Sequence, residues 1–265
     1  MLAVMCIILA VVRGLLQVSE VGRFYLSVRK SNGLIDMVKQ NCELCASELI
    51  WDWQLLDFFN FKVRLRELIC STCRMAFEKL TGPFCQYCSR AIMADEVICF
   101  DCFTWQKQIG GLFKNQALYT YNSMMRNFLA LYKFRSGYHL RALFKQELEE
   151  TIIRLQTDLI VPIPISSQTK RERGFNQVTA LIDGLEVSEL LRCKPAKERQ
   201  VQKSRTERLK SSQPFFIVKD VKKTVSDKTI CLVDDVYTTG TTLRHAAGVL
   251  MAAGAKSVCT VTLAR

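Results

Sequence analysis

The sequence predicts an α/β chain: a parallel sheet flanked by helices, preceded by a small cysteine-rich, zinc-ribbon-like module. Three observations carry this expectation. Eight of the twelve cysteines fall into four Cys-x-x-Cys pairs between Cys42 and Cys102. Downstream, short apolar runs at 158–165, 230–233 and 257–264 alternate with stretches of helical apolar spacing, as in units built around a parallel sheet. Two of those runs each lead into a polar loop and then a helix. The 265 residues suffice for one sizeable core plus a small module, and an apolar content of 49% excludes a disordered chain.

Residues 1–36 form an N-terminal extension. MLAVMCIILAVV is apolar, but Arg13 ends the run after twelve residues, short of the ~20 that a spanning helix needs. No positive segment precedes it, as one would in a signal peptide. No stable membrane insertion is expected. A peripheral contact with the membrane surface stays open, and so does a start at Met37.

Residues 37–109 form the cysteine module, with pairs Cys42/Cys45, Cys70/Cys73, Cys85/Cys88 and Cys99/Cys102. Thiolates two residues apart chelate one ion from a tight turn, and two such turns complete a tetrahedral site. Ten residues separate the last two pairs, the length of one hairpin. Cys85 and Cys88 are therefore expected to join Cys99 and Cys102, and Cys42 and Cys45 to join Cys70 and Cys73, around two structural zinc ions. A cross-braced pairing satisfies the same spacing. Redox disulfides and an iron–sulfur cluster compete, although the usual cluster spacings differ. Cys193, Cys231 and Cys259 stand singly and read as small core residues, a distribution that fits a reducing cytosol. Trp51, Trp53 and Trp105 are expected to give the module bulk rather than to stack bases, and His139 and His245 to lie on helices without ligating metal.

Residues 110–265 form the α/β domain, with a hinge at Gly110-Gly111. A strand is expected at ALYTY (117–121), then a helix carrying Met124, Phe128, Leu131 and Tyr132. Helical spacing resumes at Leu140, Phe144, Leu148, Ile152 and Leu155. Between them stands a basic turn, Lys133 to Gly137, which contains Arg135. The 158–165 strand ends near the sheet's rim at Pro162 and Pro164. It opens into a loop bearing Lys170, Arg171 and Arg173 before Gly174, after which Phe175, Val178, Leu181 and Ile182 begin a helix. The segment 192–210 holds eight basic residues against two acidic ones and reads as a mobile loop. A strand follows at 214–218.

The stretch 229–242, TICLVDDVYTTGTT, joins a buried strand to a loop of four hydroxyls, Thr238, Thr239, Thr241 and Thr242, around Gly240. A helix follows, with Leu243, Ala246, Ala247 and Leu250 on one face and Gly254 at its C-cap. Amides and hydroxyls at a helix N-terminus suit a phosphate. Asp234 and Asp235, where the strand should end, suit a sugar diol or a divalent metal. Parallel strands bring this loop and the cationic one to the same carboxyl edge of the sheet. Lys plus Arg exceed Asp plus Glu by 37 to 25, a net charge of +12 that suits an anionic partner, nucleic acid first.

The VDDVYTTGTT stretch resembles the phosphoribosyl-diphosphate (PRPP) motif of type I phosphoribosyltransferases. That resemblance implies a sheet of the same type, with Asp234 and Asp235 as the catalytic pair on the ribose 2′- and 3′-hydroxyls. It implies Thr238, Thr239, Gly240, Thr241 and Thr242 on the 5′-phosphate, joined by Arg171, Arg173 and Gly174, and Mg²⁺ where PRPP is bound. With the front cysteines, the RERGFNQ segment and a basic loop holding Gln202, Glu207 and Arg208, residues 38–265 are similar to the ComF family of late competence proteins. The extension before Met37 departs from that pattern.

This second resemblance implies a cytoplasmic role in DNA uptake and natural transformation, acting on single-stranded DNA with a ComFA-like helicase and DprA. Lys133, Arg135, Lys170, Lys203, Arg205 and Arg208 would track the DNA backbone while the loop takes a phosphate or PRPP-like ligand. The alternative is an active Mg-dependent phosphoribosyltransferase with an unknown acceptor. Both use the same loop and acidic pair, so the sequence leaves turnover open.

Overall fold

The computed structural model describes residues 40–49, 68–109, 113–194, 214–218 and 222–265. The extension 1–36, Trp51, Trp53, the Gly110-Gly111 hinge and Lys203, Arg205 and Arg208 lie outside the described residues. Among those described, Gln40–Asn41 (β1) and Glu48–Leu49 (β2) make a small antiparallel ribbon. They are followed by helices Ser71–Met75 (α1) and Phe100–Ile109 (α2). Asn115–Tyr119 (β3), Leu159–Pro162 (β4), Thr229–Val236 (β7) and Ser257–Ala264 (β8) form one sheet in the order β3-β8-β7-β4, with every pairing parallel. Leu191–Cys193 (β5) and Phe215–Ile217 (β6) pair antiparallel beside it, so the basic 192–210 segment begins on a strand.

Alternation along the strands sorts the core into two faces. Cys231 and Val233 of β7 and Val261 and Leu263 of β8 pack on one side with Met125, Phe128, Leu148, Ile152 and Leu181. These last belong to helices Ser123–Tyr132 (α3), Lys145–Arg154 (α4) and Gln177–Leu181 (α6). Ile230, Leu232 and Val258 face the other side, against Leu243, Ala246, Ala247 and Leu250 of helix Thr241–Ala252 (α8), which follows the short helix Lys222–Val225 (α7) in the chain. Each cysteine set joins a different face. Cys42 and Cys73 belong with Ile69 and Phe77 to the first cluster, and Cys85, Cys88, Cys99 and Cys102 belong to the second. Phe77 packs edge-on to Tyr119, Phe128 and Phe144, with centroids 6.5, 6.0 and 4.9 Å away, so the module shares the core of the α/β domain.

The apolar spacing from Leu140 to Leu155 predicts one helix, but the structure breaks it at Phe144. A 3₁₀ helix spans Arg135–Leu143 and α4 starts at Lys145. The reason is tertiary. Phe144 turns inward to the aromatic cluster, and the 3₁₀ segment presses Gly137 against the end of α3, where a Cβ would lie 2.2 Å from the Leu131 carbonyl oxygen. Gly137→Ala is expected to destabilise the fold by about 1–3 kcal/mol, read as a lower urea midpoint. Among the described residues no helix is long and apolar enough to cross a membrane.

Candidate functional site

The β7 strand runs three residues beyond the apolar run 230–233: Asp234 and Asp235 lie within it, and Val236 still pairs with Ala264 of β8. Successive strand residues point to opposite faces, so the two carboxylates do not share one environment. Asp235 pairs with Lys133 at 3.0 Å, from the residue that caps the C-terminus of α3. The basic turn thus folds one of its cations onto the acidic pair. Asp234 is half-buried, and its Oδ1 accepts the Asp235 amide at 2.9 Å. Burial and the Asp235 charge hold its carboxyl well above the ordinary carboxylate range, while the Asp235 amide and the Lys133 charge oppose them.

After β7 the chain turns through Tyr237 to Gly240 into α8. Gly240 is the N-cap with φ +75°, and no side chain caps the helix. A Cβ at Gly240 would lie 2.1 Å from Tyr237 Oη, so this turn requires glycine. Among the described residues, no acceptor bonds the amides of Thr238, Thr239, Gly240 or Thr242, and the Thr241 amide has only the Thr239 hydroxyl at 3.4 Å. The four hydroxyls divide: Thr239 and Thr241 are buried and bond each other at 2.9 Å, whereas Thr238 and Thr242 are exposed. Unpaired amides at the positive end of a twelve-residue helix form a seat for an anion.

The neighbouring strand β4 delivers the second basic group to the same edge, since the Ile163 amide continues its pairing by donating to the Val233 carbonyl at 2.9 Å. Lys170, Arg171 and Arg173 were expected in a loop, but they lie on helix Ser167–Arg173 (α5). Ser166 caps its start by accepting the Thr169 amide at 3.1 Å, and Gly174, at φ +86°, ends it by donating to Lys170 O. Asn176 then ties the chain back to the strand, donating to Ile163 O at 3.0 Å. Lys170 and Arg171 are exposed and Arg173 is half-buried. Arg135 opens the 3₁₀ helix two residues from Lys133.

The cysteines assemble as the spacing between pairs predicts. Cys42, Cys45, Cys70 and Cys73 form one set and Cys85, Cys88, Cys99 and Cys102 the other, with the ligand atoms of each set within 4.8 Å of one another. A tetrahedral thiolate site with metal–sulfur bonds of ~2.3 Å needs sulfurs about 3.8 Å apart. Cys45 and Cys70 stand at 3.7 Å and Cys88 and Cys99 at 3.5 Å. All the described cysteines are free thiols, so each set can hold a metal ion. The second set is wholly buried, whereas Cys45 of the first is exposed. Hydrogen bonds from Cys102 and Cys99 hold the Cys88 thiol below the ordinary thiol range, against burial and with help from Arg265.

Two arginines that sequence reasoning passed over meet here. Arg244 donates from Nη2 to Tyr237 Oη at 3.1 Å and to Cys102 Sγ at 3.6 Å, with its guanidinium 4.9 Å from the Trp105 ring. Arg265 donates from Nη1 to Tyr237 O at 2.9 Å and to Thr238 O, and from Nη2 to Cys88 Sγ at 3.5 Å. Trp105 is buried under Arg244, consistent with its expected packing role. His139 is exposed and pairs with Glu43 at 3.2 Å.

A parallel sheet flanked by helices belongs to a known class: the phosphoribosyl transferase domain family matches residues 138–265. The chain is thus a phosphoribosyltransferase-like domain preceded by a cysteine-rich module. It is 36% identical over 237 residues to competence protein ComFC of Bacillus subtilis (strain 168), covering 84% of this chain and 94% of that protein. It is also 36% identical over 199 residues to competence protein ComFC of Streptococcus pneumoniae (strain ATCC BAA-255 / R6), covering 74% and 87%. The chain belongs to the ComFC family of competence proteins. Among solved structures, the allosteric regulatory enzyme of purine biosynthesis overlaps 44% of this chain and 25% of its own at 21% identity and TM-score 0.29.

Proposed function

We propose that this chain binds single-stranded DNA and a phosphate or PRPP-like ligand during DNA uptake, seating a phosphorylated sugar where β7 passes into α8. The observation that carries this is the group of unpaired amides of Thr238, Thr239, Gly240 and Thr242 at the N-terminus of α8, beside Asp234 and Asp235. Lys170, Arg171, Arg173 and Gly174 leave the neighbouring strand's end, and the net charge of +12 supports an anionic polymer as partner. Arg135, Lys203, Arg205 and Arg208 would extend the basic track. Two zinc ions would hold the cysteine sets. The cytoplasm is the natural compartment for free thiols, and a ComFA-like helicase and DprA are the partners that the family implies.

A second reading, turnover as a phosphoribosyltransferase, is favoured by the acidic pair. Asp234 and Asp235 would hold Mg²⁺ or the ribose hydroxyls, and the cation would supply charge stabilisation for a departing pyrophosphate. Both readings are tested side by side. DNA affinity should fall with salt at a log–log slope of about −0.7 per phosphate contact, while pyrophosphate release from PRPP is followed with candidate bases. Release at a catalytic rate without salt-sensitive DNA binding would reverse the order of the two.

Asp234→Asn combined with Asp235→Asn should weaken PRPP binding by at least about 100-fold, at about 1.5–3 kcal/mol for each of the two charged hydrogen bonds lost, with metal content unchanged. Unaltered PRPP affinity would remove the sugar assignment. The raised Asp234 carboxyl also fixes the sign of two pH effects. Its folded value lies above the unfolded one, so its contribution to stability is complete below the unfolded value and is lost as pH rises through the folded value. Asp234→Asn should therefore raise the melting temperature of the ligand-free protein at neutral pH. Conversely, Mg²⁺-dependent PRPP affinity should climb as pH rises through the Asp234 titration.

A further inference from the structure

We propose that Arg244 and Arg265 are positioning residues that couple the metal in the Cys85–Cys88–Cys99–Cys102 set to the anion-binding turn, so that metal and phosphate ligand each strengthen the other's hold. The ligand half of this coupling rests on the phosphate-seat reading above. The structural half rests on contacts already described. Both guanidiniums reach a cysteine sulfur with one nitrogen and the turn with their own donors, Arg244 through Tyr237 Oη and Arg265 through the Tyr237 and Thr238 carbonyls.

Charge explains why the arrangement depends on metal. Arg244 is 5% exposed, and a buried guanidinium needs a compensating anion. Among the described residues no carboxylate pairs with Arg244 or Arg265, and Arg244 Nε, Arg244 Nη1 and Arg265 Nε are buried without a hydrogen-bond partner. A divalent ion held by four thiolates carries 2 − 4 = −2, and the two guanidiniums carry +2. The loaded site and its two arginines are therefore neutral together. The ion also fixes where the four sulfurs stand, and with them the guanidiniums that donate to Cys102 and Cys88.

Tyr237 transmits the change. Its ring lies 4.8 Å from the Arg265 guanidinium, its hydroxyl is held by Arg244, and the same hydroxyl abuts the face of Gly240 that cannot accept a Cβ. Any shift of either arginine moves the residue that defines the turn. Because coupling between two sites is reciprocal in binding free energy, a phosphate ligand that orders the turn must also tighten the hold on the metal.

The test uses the full-length, metal-loaded protein. Metal release to a chromophoric chelator is timed with and without PRPP, using inorganic phosphate as a second probe, and alkylation of the exposed thiols followed by mass spectrometry shows which cysteine set has opened. PRPP is expected to slow opening of Cys85–Cys102 by between about 5- and 150-fold, the usual range of such coupling, and to leave Cys42–Cys73 unaffected. Arg265→Gln should abolish the slowing, and Tyr237→Phe, which keeps both arginine–sulfur contacts, should reduce it.

Hydrogen exchange across residues 237–242 separates this inference from the ligand reading. Opening the second set should speed exchange there, and Arg265→Gln should do so with the metal still bound. If neither probe binds the native protein, the phosphate seat fails while the exchange result still decides the coupling. Exchange and metal release unchanged in Arg265→Gln would overturn the proposal.

Discussion

Stripping metal from Cys85, Cys88, Cys99 and Cys102 is expected to lower the melting temperature by more than about 10 °C or to abolish cooperative unfolding. Structural thiolate sites contribute about 10–16 kcal/mol in small zinc domains, against a total stability of about 5–15 kcal/mol for a folded domain. In a domain of this size each kcal/mol lost lowers the melting temperature by about 2–4 °C. The second set is buried against Leu232, Leu243, Ala246 and Leu250, so its collapse reaches the face of the sheet that carries α8. The first set has two ligands that are not buried, Cys45 and Cys70. Cys88→Ser should therefore cost far more than Cys45→Ser in thermal unfolding followed by circular dichroism. A chelator-treated chain that melts at the native temperature would show that the cysteines hold no structural metal.

Gly240→Ala is the second large effect. An alanine at φ +75° costs about 1–2 kcal/mol in backbone energy alone. Its Cβ would also displace the Tyr237 hydroxyl, now 2.1 Å from that position, and Arg244 and Arg265 leave Tyr237 nowhere to go. The turn must open, and its amides then no longer converge. PRPP binding measured by calorimetry should fall below detection while metal content stays native. Gly248→Ala is the control: it lies on the exposed side of α8 with nothing within 4 Å of an added Cβ, and it should stabilise by about 0.5–1 kcal/mol. Native affinity in Gly240→Ala would remove the turn from the binding site.

What was legible in the sequence was local. The strands at 230–233 and 257–264 announced themselves by β-branched runs, and both cysteine sets by pairs close enough in sequence for turns to bring them together. The polar loop that opens α8 was legible because its residues are consecutive. Whatever depends on residues distant in sequence was not. Lys133 and Asp235 are about a hundred residues apart, and nothing in the basic turn shows that one of its cations will fold onto the acidic pair. The break at Phe144 comes from rings on other elements. Helix α5 was misread because Ser166 and Gly174 look like loop residues, although they punctuate both ends of a helix. Arg244 left only a faint signal, a cation one turn into a helix whose inward residues are leucine and alanine. Arg265 left none.

The aromatic wedge formed by Phe77 has a practical consequence. It lies among Tyr119, Phe128 and Phe144, while Cys88 and Cys102 meet Arg265 and Arg244 on the opposite face of the sheet. The front segment is therefore no detachable cassette. A fragment beginning at residue 113 would bare three aromatic rings on one side and strand two guanidiniums on the other. Grafting the rear half onto another protein would transplant a raw surface, so the smallest portable unit of this chain is both halves together.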